Sequence, residues 1–108
     1  AYRFAIILND RLIGVCDLFD LADGEGEIGY WLDRAVWGRG YGHEAARRLV
    51  QFGVEDVGLT SLLAGCADGN AASAAILMRL GFSRLDDVSI FSTSRQEEIT
   101  QRRFQLLA

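Results

Sequence analysis

Three strand-like segments precede the first helical one, and this order restricts the fold more than any other feature of the chain. "YRFAIILN" is rich in β-formers and is followed by a turn signal, Asp10-Arg11. "LIGVCDLFDL" reads as a second strand, so the two are expected to pair as a hairpin. "ADGEG" is a loop, and "EIGYWLD", Glu27 to Asp33, is a third strand rich in aromatic residues. Residues 34 to 41 form a loop. From Gly42 to Val57 the period becomes helical. Ala45, Ala46, Leu49, Val50, Gly53, Val54 and Val57 fall on one face, and Glu44, Arg47, Arg48, Gln51 and Glu55 on the other. Gly58 ends this helix. "SLLAGCAD" is a short buried strand, and "NAASAAILMRL" is a second helix stopped by Gly81. "FSRLDDVSIFST" and "EEITQRRFQLL" close the chain as two strands joined by the polar "SRQ". The order β-β-β-α-β-α-β-β describes one α/β (α+β) domain over residues 1–108, without internal repeats. A hairpin and meander at the start and few βα repeats argue against a doubly wound parallel sheet.

Half of the residues are hydrophobic, enough to bury one core. There are 15 acidic and 11 basic residues, for a formal charge of −4, and every basic residue is arginine. An acidic domain lacks the positive footprint of a general nucleic-acid binder and suits a cationic partner better. No apolar run is long enough to span a membrane and no signal peptide is visible, so the expected location is cytoplasmic. Cys16 and Cys66 lie among strand-like apolar residues and read as reduced core cysteines. With one histidine in the chain, no metal site is expected.

The stretch "VWGRGYGHEAARRLV" places Gly38, Gly40 and Gly42 at the mouth of the first helix. Unpaired amides at a helix start, aided by the helix dipole, form an anion site. Glycine turns those amides toward a ligand and lets a phosphate approach without meeting a Cβ. Arg39 can add a charged fork. The chemistry reads as a pyrophosphate cradle. Two other readings exist. The glycines can serve turn geometry alone. Gly40, Gly42 and Ala45 also match the G-x-G-x-x-G/A dinucleotide pattern, with Asp68 ending the next strand where a ribose-binding acid would sit. That fingerprint wants its glycines directly after a strand, and here Asp33 to Arg39 intervene. The Walker pattern is absent.

Residues beyond the loop point further. The strand "EIGYWLD", the loop "WGRGYGHEA" and the later "NAASAAILMRLGF" resemble the GNAT superfamily of acyl-CoA N-acyltransferases, and within it the branch that acetylates ribosomal-protein N-termini and related amines. The family loop, Q/R-x-x-G-x-G/A, is met at its fourth and sixth positions by Gly40 and Gly42, with Trp37 at the first. The second motif, Asn-x-x-Ser followed by Leu-Gly-Phe, is met by Asn70, Ser73, Leu80, Gly81 and Phe82. The resemblance implies a mixed, mostly antiparallel sheet with helices packed on it. It implies acetyl-CoA as co-substrate, held without a metal. Its pyrophosphate would rest on Gly38, Arg39, Gly40, Tyr41 and Gly42, with His43 starting the helix and Trp37 packing the loop. Its pantetheine arm would run beside the main chain of Trp31 and Leu32, and Asn70 would cap the second helix and contact the pantetheine amides. The thioester would lie where the two parallel strands of the family splay apart.

The implied reaction is direct attack of a primary amine, a protein N-terminus or small amine, on the thioester. Glu27, on the strand face shared with Gly29 and Trp31, inherits the role of base. Many members carry a tyrosine seven residues after the Asn. Leu77 stands there, so Ser73 inherits the candidacy for proton donor or partner of the thiolate, on the helix face it shares with Asn70 and Leu77. The family also begins with a strand and one or two helices that wall the acceptor pocket, for which these residues hold no counterpart. A fragment, or a naturally shortened domain, is therefore expected. In the second case an acyltransferase completed by another chain, a coenzyme-A-binding module without turnover, or an interaction domain stays open. An unpaired sheet edge would then invite a homodimer.

Overall fold

The computed structural model describes residues 1–67 and 70–108. Its first three strands are β1 (Tyr2–Leu8), β2 (Arg11–Ala22) and β3 (Glu25–Leu32). They form an antiparallel meander joined by two tight turns. Leu8 pairs with Arg11, leaving Asn9 (φ 50°) and Asp10 (φ 64°) as the turn; Ala22 pairs with Glu25, leaving Asp23 (φ 52°) and Gly24 (φ 78°). Two central residues with positive φ define the turn whose twist matches that of the flanking strands. The turns thus sit on Asn9-Asp10 rather than Asp10-Arg11, and on only two of the five residues of "ADGEG".

Helix α1 covers Tyr41–Gln51 and continues into a wider π-helical turn, Phe52–Asp56, closed by a Val57 N–H to Phe52 C=O bond of 3.1 Å. The sequence period suggested one uninterrupted helix to Val57. The added residue per turn keeps Gly53 buried, and Gly58, at φ 83°, ends the segment. Strand β4 (Ser61–Ala67) follows, then α2 (Ala71–Arg79). The expected penultimate strand is split into β5 (Ser83–Arg84) and β6 (Val88–Ser92), both antiparallel to β7 (Glu97–Leu107). Between the two pieces, Leu85 N–H donates to Arg103 C=O at 2.8 Å and Arg84 pairs with Asp87 at 3.0 Å.

The seven strands make one sheet in the order β1-β2-β3-β4-β7-β5, with β6 also on β7. All pairings are antiparallel except β3 with β4. Both helices lie on one face. Leu49 from α1 and Leu77 from α2 share a core with Leu18, Ile28, Leu62 and Phe104. Each large apolar side chain buried there contributes about 1.5–3 kcal/mol. Cys16 and Cys66 form no disulfide and are buried in the same core, as expected, and burial pushes the Cys16 thiol above its ordinary value.

Candidate active site

Pairing between β3 and β4 covers only Glu25–Ile28 against Ser61–Ala64. Beyond Ile28, β3 runs on to Leu32 and β4 to Ala67 without pairing to each other, so a gap opens in the middle of the sheet. On its β3 side, Asp33 N–H donates to Ile13 C=O of β2. Alternation along the strand then turns the main chain of Trp31 toward β2 and that of Tyr30 and Leu32 toward the gap. Leu32 can therefore meet an added strand there, although its carbonyl already accepts from Trp37 Nε1 at 2.8 Å. Trp31 offers its exposed indole instead (62% accessible).

The loop after β3 is tied down at its start. Asp33 Oδ1 accepts from Ala35 N–H, and Arg34 lies 5.4 Å over the Trp37 ring that anchors on Leu32. Gly38 (φ 80°) and Gly40 (φ 83°) then take the left-handed conformation that side chains disfavour. A Cβ at either would meet no atom within 4 Å, so the space above both is open. Gly40 caps α1 without any side-chain bond. The first bond of the helix is Glu44 N–H to Gly40 C=O, so the amides of Tyr41, Gly42 and His43 precede the helical ladder. Arg39 is exposed and His43 half-buried beside them. Gly42 plays another part. A Cβ there would stand 3.2 Å from Ile76 Cδ1, so its bareness lets α1 approach α2. The alternative dinucleotide pattern needed Gly42 at the ligand, and its acid, Asp68, lies outside the described residues.

At the start of α2, Asn70 Oδ1 accepts from Ser73 N–H at 3.1 Å, the expected cap. Ser73 Oγ lies 3.0 Å from the hydroxyl of Tyr30, which reaches across from β3. The same hydroxyl is 3.5 Å from the Ser73 carbonyl oxygen. Burial, the largest cause, and the neighbouring Cys66 raise the Tyr30 phenol above its ordinary value, partly offset by the bond to Ser73. Leu77, at the position where the resemblance implies a tyrosine in many members, is 1% exposed and part of the core. Sequence reasoning missed Tyr30. The available signal was a tyrosine in the apolar stripe Ile28, Tyr30, Leu32, since a buried phenol needs a partner.

Glu27 lies on the opposite face of the sheet, in a two-pronged ion pair with Arg103 of β7. Its Oε2 accepts from Nη1 and its Oε1 from Nη2, both at 2.8 Å. Both side chains are 17% accessible. The guanidinium is held charged, its titration raised first by the bond to Glu27. Gly65 on β4 leaves the room, because a Cβ there would stand 2.7 Å from Arg103 Nη1. Gly29 does the same for Asp17, whose Oδ1 would be 2.7 Å from a Cβ on residue 29. Arg103 was also missed; it is 76 residues from Glu27 in sequence. Among the described residues no cluster could hold a metal ion, and no helix is long and apolar enough to cross a membrane. Asp87 is occupied by Arg84, and Arg79 is exposed. A separate apolar groove at the outer edge of the sheet, lined by Phe4, Ile6, Tyr41 and Phe52 among others, contains neither Glu27 nor Ser73.

A family model described as an acetyltransferase (GNAT) domain matches residues 1–83. The chain belongs to the GNAT acetyltransferase family. This GNAT domain is 33% identical, over 90% of its own length and 64% of the relative's, to "Uncharacterized N-acetyltransferase p20" of Bacillus licheniformis. It shares the fold of the ribosomal-protein-S5-alanine acetyltransferase from Vibrio fischeri (TM-score 0.85, 19% identity, 91% of this chain and 55% of that one). The fold also matches the microcin C7 self immunity acetyltransferase MccE, solved with acetyl-CoA and AMP (TM-score 0.84, 23% identity, 98% and 60%). The domain thus spans between about half and two thirds of the length of these proteins.

Proposed function

We propose that this GNAT domain transfers an acetyl group from acetyl-CoA to a primary amine, a protein N-terminus or a small amine, by direct attack within a ternary complex. The observation that carries the reading is the Gly38–Gly40 loop. Two left-handed glycines with open space above them stand ahead of an uncapped helix start, beside the gap between β3 and β4. Such a start suits a pyrophosphate. Gly38, Arg39, Gly40, Tyr41 and His43 would hold it, with Trp37 fixing the loop and Gly42 keeping α1 close to α2. The pantetheine arm would enter the gap beside Leu32 and Trp31, near Asn70.

The two faces of the sheet would then divide the proton work. A carboxylate has about four acceptor sites, and Arg103 uses two of those on Glu27. The rest can hold the ammonium of the acceptor, or a water that takes its proton. On the helix face Ser73 would meet the leaving sulfur. The amine nitrogen bonds to the carbonyl carbon, the C–S bond breaks with its electron pair on sulfur, and Ser73 supplies the proton. The −4 charge of the chain favours a cationic acceptor reaching this site.

The test is calorimetric titration of acetyl-CoA followed by a thiol-release assay with a panel of amines. Saturable binding and amine-dependent release are expected. Binding without release would leave a coenzyme-A-binding module, and no binding would leave only the scaffold. NADH titration in parallel tests the dinucleotide reading.

A further inference from the structure

Tyr30 has no part in the mechanism set out above, yet its hydroxyl is aimed at the residue assigned to the leaving thiolate. We propose that Tyr30 is a positioning residue for the acetyl transfer: its hydroxyl donates to Ser73 Oγ and so leaves the Ser73 proton directed at the departing sulfur. The proposal rests on the acetyl-transfer reading and deepens it.

Three observations carry it. The oxygens of Tyr30 and Ser73 are 3.0 Å apart, with the Ser73 carbonyl 3.5 Å from the same phenol. Both contacts of the phenol thus lie on Ser73, and its single proton is directed at the nearer acceptor, Oγ at 3.0 Å, with the carbonyl at 3.5 Å a weaker second acceptor. A phenol is also the better acid of the two hydroxyls, so the orientation from tyrosine to serine is favoured. Ser73 itself is held from the other side by the Asn70 cap, which fixes its main chain. Finally, the helix position from which a tyrosine would otherwise serve is filled by Leu77, sealed in the core.

The titratable groups around the phenol are Cys66 on β4 and Cys16, its register partner on β2. Both are buried thiols outside any disulfide, and the burial that surrounds all three keeps the phenol protonated, in the donating form, at neutral pH. Proton balance is simple. When the C–S bond breaks, sulfur takes the Ser73 proton. The attacking ammonium gives up two protons in all: one leaves through Glu27 or its water, and one replaces, by way of Tyr30, the proton that Ser73 passes to sulfur. The net change from ammonium and thioester is one amide, one thiol and one proton released to solvent, with no added reactant.

The experiment compares the unaltered protein with its variants. Tyr30→Phe should lower kcat at least tenfold, short of the roughly 10²–10⁴ that a complete proton-transfer device contributes, and leave the KM for acetyl-CoA within about twofold. Ser73→Ala should lower it further, and Tyr30→Phe on top of Ser73→Ala should cost nothing more, because the phenol acts only through the serine. A ligand-free readout accompanies this. With 3-fluorotyrosine placed at position 30, Ser73→Ala should move the fluorine-detected phenol titration to higher pH, since the bond to Ser73 lowers it. The fluorinated chain keeps the shape of tyrosine and serves if Tyr30→Phe fails to fold. Unchanged kcat in Tyr30→Phe, multiplicative losses in the double variant, or an unmoved titration would each overturn the proposal. If the unaltered protein releases no thiol with any amine, the acetyl-transfer reading falls, and the positioning role falls with it. Turnover in the unaltered protein with an indifferent Tyr30 sinks the positioning role alone.

Discussion

Replacing Gly40 by alanine separates what the glycine does for the fold from what it does for a ligand. Gly40 has φ 83° and an empty shell around the missing Cβ. The substitution therefore meets no clash, and its folding cost is backbone strain alone. Left-handed backbone costs an L-residue roughly 1–2 kcal/mol. Stiffening the unfolded chain returns about 0.4–1 kcal/mol. The net loss is about 1 kcal/mol, or a fall in Tm of about 4–8 °C for a domain of this size. Gly58 supplies the matched control. It has the same φ of 83° and the same empty surroundings, but it lies beyond the other end of α1 and its π-helical turn, roughly 25 Å away.

Both variants should melt early by the same amount. Only Gly40→Ala should lose affinity for acetyl-CoA, because its new methyl occupies the space a phosphate would fill. A tenfold or greater rise in Kd is expected, about 1.4 kcal/mol or more. Calorimetry reads the affinity directly. Melting curves offer a second measure, since ligand at a hundred times Kd stabilises a protein by about 2.7 kcal/mol. If Gly40→Ala binds acetyl-CoA as tightly as Gly58→Ala, the loop is not the cradle and its glycines serve turn geometry alone.

Other perturbations address the rest of the site. Glu27→Gln should lower kcat by roughly tenfold or more in the thiol-release assay, and full turnover across pH would remove Glu27 as base. Gly65→Ala would push its Cβ against the flexible ends of Arg103 and Gln101, so melting should change little while kcat/KM falls as the ion pair with Glu27 is displaced. Leu77→Ala should cost about 2–5 kcal/mol in denaturant unfolding, and Leu77→Tyr, which over-packs the same site, about 1–3 kcal/mol, with no gain in turnover. Because the folded Tyr30 phenol titrates above its ordinary value of 10.0, the folded state binds that proton more tightly than the unfolded one. Its contribution to stability is complete below pH 10 and is lost as pH rises through the folded value; unfolding titrations of Tyr30→Phe should lack this loss.

What the sequence made legible were features whose signal is local. The "ADGEG" stretch reads as a break between strands, although only Asp23-Gly24 make the turn, and Asn70 caps α2 because Ser73 is three positions on. The glycine-rich mouth of α1 was legible too, although only Gly38 and Gly40 of its three glycines are left-handed. The contacts that complete the site are of another kind. Tyr30 meets Ser73 across 43 residues and Glu27 meets Arg103 across 76. Neither pair can be found until the registers of β3 with β4 and of β4 with β7 are known. The π-helical turn was hidden for a related reason: one extra residue in a helix leaves the apolar face nearly unchanged, and only the Phe52–Val57 bond reveals it. The break between β5 and β6 is invisible to a strand count, because the residues on both sides pair with the same partner strand.

On the proposed acetyl-transfer reading, these long-range pairs place the chemistry at the gap between β3 and β4. Glu27 and Ser73 belong to opposite faces of a sheet, and a continuous sheet would keep them apart. Pairing stops just after Ile28 and Ala64, one residue beyond Glu27 and one before Gly65. A thioester lodged in that gap would have the carboxylate on the side from which an amine arrives and the serine on the side to which sulfur departs. Arg103 is then part of the site although it lies on β7. It spans β4 through the space Gly65 leaves, and it holds Glu27 at the rim of the gap instead of letting it turn to solvent. A longer pairing of β3 with β4 would strengthen the sheet and close the gap that lies between the two groups.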